Sequence, residues 1–293
     1  MTTPIPVDAP RGGVLHELRE VFHDVNHSRG LIYQLTLRDI RVRYKQAAMG
    51  FAWAILSPLL IVAAGIVVRV AMLRMAGQPF QFDSVTAIVV KGLAWGFFAS
   101  AIGFAITSLT GNGPLITKVY FARETLPLSV ILASAFDSLI GTTAMALALP
   151  FFGWRPTWAI VWVPLLAAVL FAFTLAVGLF ISCANLFYRD VRYITQLLIT
   201  FGIFFTPVYY EPAMLGSRWI STQMLNPLAP ILEGLRLSVV EGHNLLVTIR
   251  QASDGAVIWS PMFLGYSLLW AVGGLALATL LFHRAQFRFA EYV

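Results

Sequence analysis

The chain has 293 residues, of which 58% are hydrophobic and 12% are charged, and its mean hydropathy is +0.77. This charged share is about half that of an ordinary soluble domain, which excludes a soluble globular enzyme. The net charge of +6 is small and scattered, so it indicates membrane topology rather than nucleic-acid binding. The single cysteine, Cys183, excludes an internal disulfide.

The first 50 residues are polar or amphipathic, so no cleavable signal peptide is expected in them. Between Val14 and Val25 apolar residues recur at helical spacing, which predicts an amphipathic helix. Such a helix can lie in the membrane surface or pack on another subunit, and the sequence fits both alternatives. No metal site is predicted on it, because its i,i+4 histidine pair has no third ligand nearby. The predicted polar side carries Glu17, Arg19, Glu20, His23, Asp24 and His27.

Six apolar stretches predict an all-α integral membrane protein, because a helix of about 20 apolar residues crosses a bilayer. The fifth stretch is short, so either its helix extends past Tyr209 or the bilayer is thinner there. The predicted organisation is a cytoplasmic N-terminal segment, 1–50, followed by a six-span domain, 51–293. The predicted spans are residues 51–70, 86–109, 128–152, 159–181, 194–209 and 262–282.

Most Lys and Arg residues fall in segments that face the cytoplasm if the N-terminus lies inside. Six spans then place both termini in the cytoplasm. The remaining cations fall outside or at the outer boundary, several of them in one long loop, where this rule counts least. These are Arg69, Arg74, Lys91, Arg155, Arg218, Arg236 and Arg250.

Residues 35–50 carry four cations just before the first span, which predicts a stop-transfer anchor in contact with anionic lipid head groups. Three further elements on the predicted inner side are more than simple links: the loops 110–127 and 185–193 and the tail 282–293. In the loop 110–127, the amphipathic stretch 115–125 predicts a helix of about three turns. That helix could receive a motor subunit or simply lie in the interface. The loop 185–193 is short and charged.

The longest segment outside the spans, residues 206–261, is rich in proline and apolar side chains. Between Leu228 and Val239 the apolar residues follow helical spacing, and Glu233 and Arg236 form an i,i+3 pair on another face. We therefore expect a re-entrant or interfacial helical hairpin on the outer side between spans five and six.

Asp137 is the one carboxylate at predicted membrane depth, where an ionisable residue is a candidate functional group. Its structural alternative is a carboxylate bonded to the hydroxyls of Ser134, Ser138 or Thr142. Aromatic side chains suit a path for sugar, because sugar rings stack loosely on them. The candidates for lining such a path are Trp53, Phe204, Phe205 and Asp137.

Four motifs occur in a characteristic order: LTLRDIRVRYKQAAMGFAWAILSPLL from residue 35, NGPLITKVYFARETLPLS from 112, NLFYRDVRYITQ from 185, and TPVYYEPAML from 206 followed by LNPLAPILEGLRLSVVEG from 225. With them the chain resembles the membrane permease subunit of ATP-binding-cassette exporters for lipid-linked polysaccharides, the type-2 exporters of O-antigen, capsule and teichoic acid. The likeness covers residues 31–293. One departure is YYEP at residues 209–212, where the family has a more apolar turn.

The resemblance implies a homodimer in the bacterial inner membrane, in contact with membrane lipids and bound to two copies of a separate ATPase subunit. It implies ATPase-facing roles for Arg38, Arg41, Tyr44, Lys45, Lys118, Arg123, Glu124, Arg189, Asp190 and Arg192. It implies an outer gate formed by Pro207, Tyr209, Tyr210, Asn226, Pro227, Glu233 and Arg236.

The chain has no G-x-x-x-x-G-K-[ST] motif, so we expect ATP and Mg²⁺ to be bound by the partner and no cofactor or metal by this chain. Closure of the ATPase would push the loop helix and open a path between protomers. One alternative is a permease for a drug or small lipid. A membrane enzyme acting on lipid-linked sugars would need clustered acids and bases, and only Glu241 and His243 are loosely placed for this. A secondary transporter would show inverted repeats, and we see none.

Overall fold

The computed structural model describes residues 13–45, 52–75, 77, 82–119, 121–251 and 255–292. Over these residues the chain is helical except for turns and one short pair of strands. The helices are α1 (Val14–His27), α2 (Arg29–Tyr44), α3 (Ala52–Met75), α4 (Phe82–Ala105), α5 (Gly113–Lys118), α6 (Thr125–Ala148), α7 (Trp162–Phe187), α8 (Val191–Phe205), α9 (Ser217–Gln223), α10 (Leu228–Val239), α11 (Pro261–Ala285) and α12 (Phe289–Tyr292). The antiparallel strands are β1 (Ile249–Arg250) and β2 (Val257–Trp259).

Five helices within the described residues are long and apolar enough to cross a membrane: α3, α4, α6, α7 and α11. They coincide with predicted spans one to four and six, and this confirms an α-helical membrane protein. The predicted fifth span is α8, a helix of 15 residues that ends at Phe205. At 1.5 Å per residue it is about 22 Å long, against about 30 Å for the hydrocarbon core. The alternative in which this helix extends past Tyr209 is therefore wrong.

The number of crossings, the cytoplasmic placement of both termini and the division of the chain at residue 50 stay predictions. Residues 46–51, at that division, lie outside the described residues.

The predicted helix over residues 115–125 is wrong in extent. The helix found there, α5, begins at Gly113 and ends at Lys118, after which Val119 is extended. Pro114 lies in the first turn of this helix instead of preceding it, because the N–H that proline lacks is one that the first turn of a helix does not use. Pro127 likewise lies in the first turn of α6, which starts at Thr125.

The core lies where α4 packs between α3, α6 and α7, and where α7 and α11 run side by side. All twelve residues of α10 are buried, against α4, α7 and α11, which confirms the helix expected from Leu228 to Val239. The pair of strands was not predicted. It rests on α10 through Trp259, which is fully buried and whose indole N–H donates to the Leu245 carbonyl at 2.9 Å.

Two glycines mark the closest approaches between helices. A methyl group at Gly65 would lie 2.6 Å from Ile88 Cγ2 and 2.7 Å from a ring carbon of Tyr209. A methyl group at Gly178 would lie 2.7 Å from Ile131 Cδ1. Glycine allows such contact because association of helices in lipid depends on close packing.

Candidate functional sites

The N-terminal helix α1 is fastened to the end of α11. Glu17 is buried and accepts hydrogen bonds from Arg284 Nε at 2.9 Å and Nη2 at 3.0 Å. These bonds hold the pKa of Glu17 below its ordinary value. Val21 is buried beside it, whereas Leu15 is 83% and Phe22 75% exposed. The prediction that Glu17 lies on the polar side of α1, opposite the apolar residues, is wrong, because Glu17 shares a face with Val21 and is buried against Arg284 of α11.

Helix α2 is fastened to the middle of α6 through Asp137. Arg43 Nη1 and the Tyr44 hydroxyl each donate to the Asp137 carboxylate at 2.6 Å. The Arg43 guanidinium also donates to Ser134 Oγ at 3.2 Å and lies 3.8 Å from the centre of the Phe104 ring. Burial and the bond to Asp137 raise the pKa of Tyr44. The partners of Asp137 thus come from α2, which the sequence analysis missed.

Some of the predicted ATPase-facing residues hold the bundle together. Arg123 donates to the Gln286 carbonyl just after α11, and its guanidinium lies 5.9 Å from the centre of the Phe289 ring. Glu124 is buried, with Oε1 3.5 Å from His283 Nδ1. Tyr44 is bonded to Asp137, as described above. We call the end of the bundle that contains α1, α5 and the contacts of Arg123 and Glu124 the α5 end.

Other predicted ATPase-facing residues lie on the surface. Lys118 is exposed at the last residue of α5, and Arg38 Nη1 reaches Asn112 Oδ1, just before α5, at 3.1 Å. The exposed turn between α7 and α8 also lies at the α5 end, because Phe187 packs 4.9 Å from Tyr292 between ring centres. The remaining exposed residues of this set are Arg41, Lys45, Arg189, Asp190 and Arg192.

At the other end of the bundle, charged groups meet inside the protein. Lys91 of α4 is 1% exposed, and its Nζ donates to the Tyr210 carbonyl at 2.6 Å. The same Nζ lies 4.0 Å from Glu233 Oε2. The other oxygen, Glu233 Oε1, accepts from Arg236 Nε at 2.9 Å and Nη2 at 2.6 Å. The predicted Glu233–Arg236 pair is confirmed, and it is buried.

From the Glu233–Arg236 pair, contacts between charged groups extend toward the surface. Arg236 Nη1 donates to Glu241 Oε1 at 2.5 Å and lies 4.0 Å from Glu211 Oε2. Glu211 Oε1 accepts from Arg69 Nη2 of α3 at 2.8 Å. The Glu211 side chain is 26% exposed and that of Glu241 46%, whereas that of Glu233 is 0% exposed.

We call this set the charge network. Its three cations balance its three carboxylates, as burial of charge requires. Its members are Arg69, Lys91, Glu211, Glu233, Arg236 and Glu241.

The other predicted gate residues pack around the charge network. The Tyr210 hydroxyl donates to Gln223 Oε1 at 3.0 Å, and Tyr209 is buried against Gly65. The Asn226 amide donates to Thr206 Oγ1 at 3.0 Å. The structure therefore joins the residues after α8 to those before α10. Pro207 is also buried there, and the Pro227 carbonyl accepts from Ser267 Oγ at 2.7 Å.

Sequence reasoning missed Arg69, Lys91, Glu211 and Glu241 as members of this site. The sequence analysis uses Arg69 and Lys91 only as charges that indicate membrane topology. It names Glu211 only as part of YYEP, where the chain departs from the family's turn. A signal was present at Lys91, because a lysine inside the apolar run IVVKGL requires a buried acidic partner.

The remaining candidates are placed as follows. Trp53 on α3 and Phe204 and Phe205 on α8 are 47%, 56% and 75% exposed. His243 Nε2 lies 2.9 Å from the Val247 carbonyl, whereas Glu241 is paired with Arg236, so these two do not form an acid–base pair. Among the residues that the structure describes, no group of three or more His, Cys, Asp or Glu side chains is arranged to hold a metal.

The ABC-2 type transporter family model matches residues 30–240. The chain is 26% identical over 267 residues to the O-antigen export system permease protein RfbA of Myxococcus xanthus, covering 90% of this chain and 96% of that protein. It is 28% identical over 265 residues to a protein of the same name from Klebsiella pneumoniae, covering 89% and 94%. A second Klebsiella pneumoniae protein of that name is 29% identical over 216 residues, covering 72% and 81%. The chain therefore belongs to the ABC-2 type transporter family and is a multi-pass protein of the bacterial inner membrane.

Proposed function

We propose that this chain is the transmembrane subunit of an ATP-driven exporter that moves a lipid-linked polysaccharide of the O-antigen class across the inner membrane. The observation that carries the proposal is the similarity to O-antigen export permeases along about nine-tenths of this chain. The ABC-2 permeases are transport subunits, and the energy is supplied by a separate ATPase that binds ATP and Mg²⁺.

The ATPase binds at the α5 end. Lys118, Arg189 and Arg192 are exposed there. Arg123 and Glu124 follow α5 in the chain and contact the residues that end α11. A push on α5 is therefore received by exposed cations and passed to α6 and α11 through the segment that carries Arg123 and Glu124. This arrangement supports mechanical coupling between ATP binding and tilting of the helices.

A second copy of the chain packs against α8. This helix is too short to cross the hydrocarbon core alone, and its exposed apolar side forms a groove lined by Ile194, Leu197, Leu198 and Phe201. The last backbone carbonyls of a helix that ends inside the hydrocarbon core require cover by protein rather than lipid. The path for the polysaccharide then lies between two protomers, and the exposed rings of Trp53, Phe204 and Phe205 are its candidate lining.

Co-purification with the ATPase encoded beside this chain tests the proposal. We expect a stable complex that hydrolyses ATP, and we expect Lys118→Glu to lower turnover about tenfold by placing a like charge against the partner's acidic contact. Arg155→Glu is the matched control, because Arg155 is an exposed cation in the turn between α6 and α7, at the opposite end of the bundle. If no ATPase associates, or if both variants behave alike, the proposal is wrong.

A further inference from the structure

We propose that Lys91 is a positioning residue for the outer gate, with two alternative acceptors for its ammonium group. The gate segment, residues 206–216, is closed when Lys91 donates to the Tyr210 carbonyl and open when Lys91 pairs with Glu233 instead. This inference rests on the proposed function, because it assumes that the gate segment moves during transport.

The first observation is the position of Lys91 Nζ between its two acceptors. It lies 2.6 Å from the Tyr210 carbonyl and 4.0 Å from Glu233 Oε2. Within the residues that the structure describes, Glu233 Oε2 is buried without a hydrogen-bond donor. An unmade bond on a buried carboxylate is costly, and the lysine ammonium has three donors to offer. A second acceptor for the Lys91 ammonium group, Glu233 Oε2, is therefore already present in the closed structure.

The second observation is the rigidity of the alternative acceptor. Glu233 Oε1 is held by two bonds from Arg236 on the same helix, α10, and every residue of α10 is buried. The Tyr210 carbonyl belongs to the gate segment, a turn outside the regular helices. Movement of the gate segment therefore removes one acceptor and leaves the other in place.

The third observation is a second contact that opening must break. Glu211 in the gate segment accepts from Arg69 of α3 at 2.8 Å. The Glu211 side chain is 26% exposed, so water can solvate the carboxylate once it leaves Arg69. The buried ammonium group of Lys91 cannot be solvated by water in this way, so it requires a protein acceptor. Opening thus breaks the Arg69–Glu211 contact, after which water solvates the Glu211 carboxylate. It also replaces the bond from Lys91 to the Tyr210 carbonyl with an ion pair between Lys91 and Glu233.

Two substitutions of the same kind then act in opposite directions. Glu211→Gln weakens a contact made only in the closed state, so it favours opening. Glu233→Gln keeps an oxygen for Arg236 but removes the charge that receives Lys91 in the open state, so it disfavours opening. Glu20→Gln removes an exposed carboxylate of α1, at the α5 end and outside the charge network, and it serves as the matched control.

The experiment measures the accessibility of the gate segment with a thiol reporter. Val208 is 0% exposed, so Val208→Cys in a Cys183→Ser background reacts with a charged maleimide only when the segment opens. Labelling rates are measured in nanodiscs, first for the chain alone and then with ATPase and ATP. We expect Glu211→Gln to label about tenfold faster than the parent and Glu233→Gln several-fold slower, with Glu20→Gln within about twofold of the parent.

Shifts of Glu211→Gln and Glu233→Gln in the same direction, or equal rates in all variants, overturn the inference. If Glu233→Gln does not fold, equal rates for Glu211→Gln and Glu20→Gln overturn the inference on their own. A rate that rises with ATP equally in every variant supports the proposed function and overturns this inference. Opposite shifts in the chain alone support the inference even if no ATPase binds.

Discussion

Asp137 and Arg43 are joined by a 2.6 Å bond between carboxylate and guanidinium, although 94 residues separate them along the chain. Their side chains are 19% and 13% exposed, so the pair is largely withdrawn from water. It fastens α2, which carries exposed cations, to a point midway along α6. The pair thus links a surface helix to a membrane-spanning helix, and Asp137 has a structural role whether or not it also lines a path.

The first prediction concerns this pair. Asp137→Ala leaves Arg43 without its partner, and we expect a loss of about 2–4 kcal/mol in the free energy of unfolding. Asp137→Asn keeps an acceptor oxygen for Tyr44 and loses less. Thermal unfolding in detergent measures both, with Asp24→Ala, an exposed position on α1, as control. A stability of Asp137→Ala equal to that of Asp24→Ala would show that the pair does not fasten α2.

The second prediction concerns pH and the docking of α1. Arg284 lowers the pKa of Glu17 below 4.5, so the ionised carboxylate is favoured in the docked helix. Its contribution to docking is complete above about pH 4.5 and is lost as the pH falls through the lower pKa of the docked state. The protection of the α1 amides, meaning their hydrogen exchange relative to the intrinsic exchange rate at each pH, should therefore fall in acid.

Glu17→Gln should remove this pH dependence, and Glu20→Gln, at an exposed position on α1, should preserve it. If the exchange of α1 has the same pH profile in all three proteins, Glu17 does not control docking.

The third prediction concerns the closest helix contact. Gly65→Ala places a methyl group 2.6 Å from Ile88 and 2.7 Å from Tyr209, so the neighbours must shift, at about 1–3 kcal/mol. Gly103→Ala in α4 meets no atom within 4 Å, and should be neutral or stabilising by up to about 1 kcal/mol through helix propensity. Unfolding temperatures of the two variants test the difference. Equal temperatures would contradict the packing of α3 on α4 and Tyr209.

The fourth prediction concerns the second protomer. In a Cys183→Ser background, Phe201→Cys on α8 should form a covalent dimer under mild oxidation. Leu269→Cys on α11 is the control, because Phe201 is 55% and Leu269 70% exposed, but only Phe201 lies on the proposed interface. Gel mobility without reductant distinguishes monomer from dimer. A dimer through position 269 and none through 201 would move the interface from α8 to α11.

The spans could be predicted because an apolar run is a local property of the sequence. The partners of charged residues could not, because they come from distant segments: Arg69 and Glu211 are 142 residues apart. The same limit applies to Glu17, because its partner Arg284 is 267 residues away along the chain. The predicted helix over residues 115–125 is too long because the amphipathic pattern continues past Lys118, whereas the helix ends there.

We propose above that ATP hydrolysis by a partner subunit drives a lipid-linked polysaccharide through a dimer of this chain. The most direct test of this proposal is reconstitution of the chain with its ATPase in liposomes that contain lipid-linked O-antigen on one leaflet. We expect the polysaccharide to become accessible to an impermeant lectin on the other leaflet only when both subunits and ATP are present. Equal transfer without ATP or without the ATPase would contradict it.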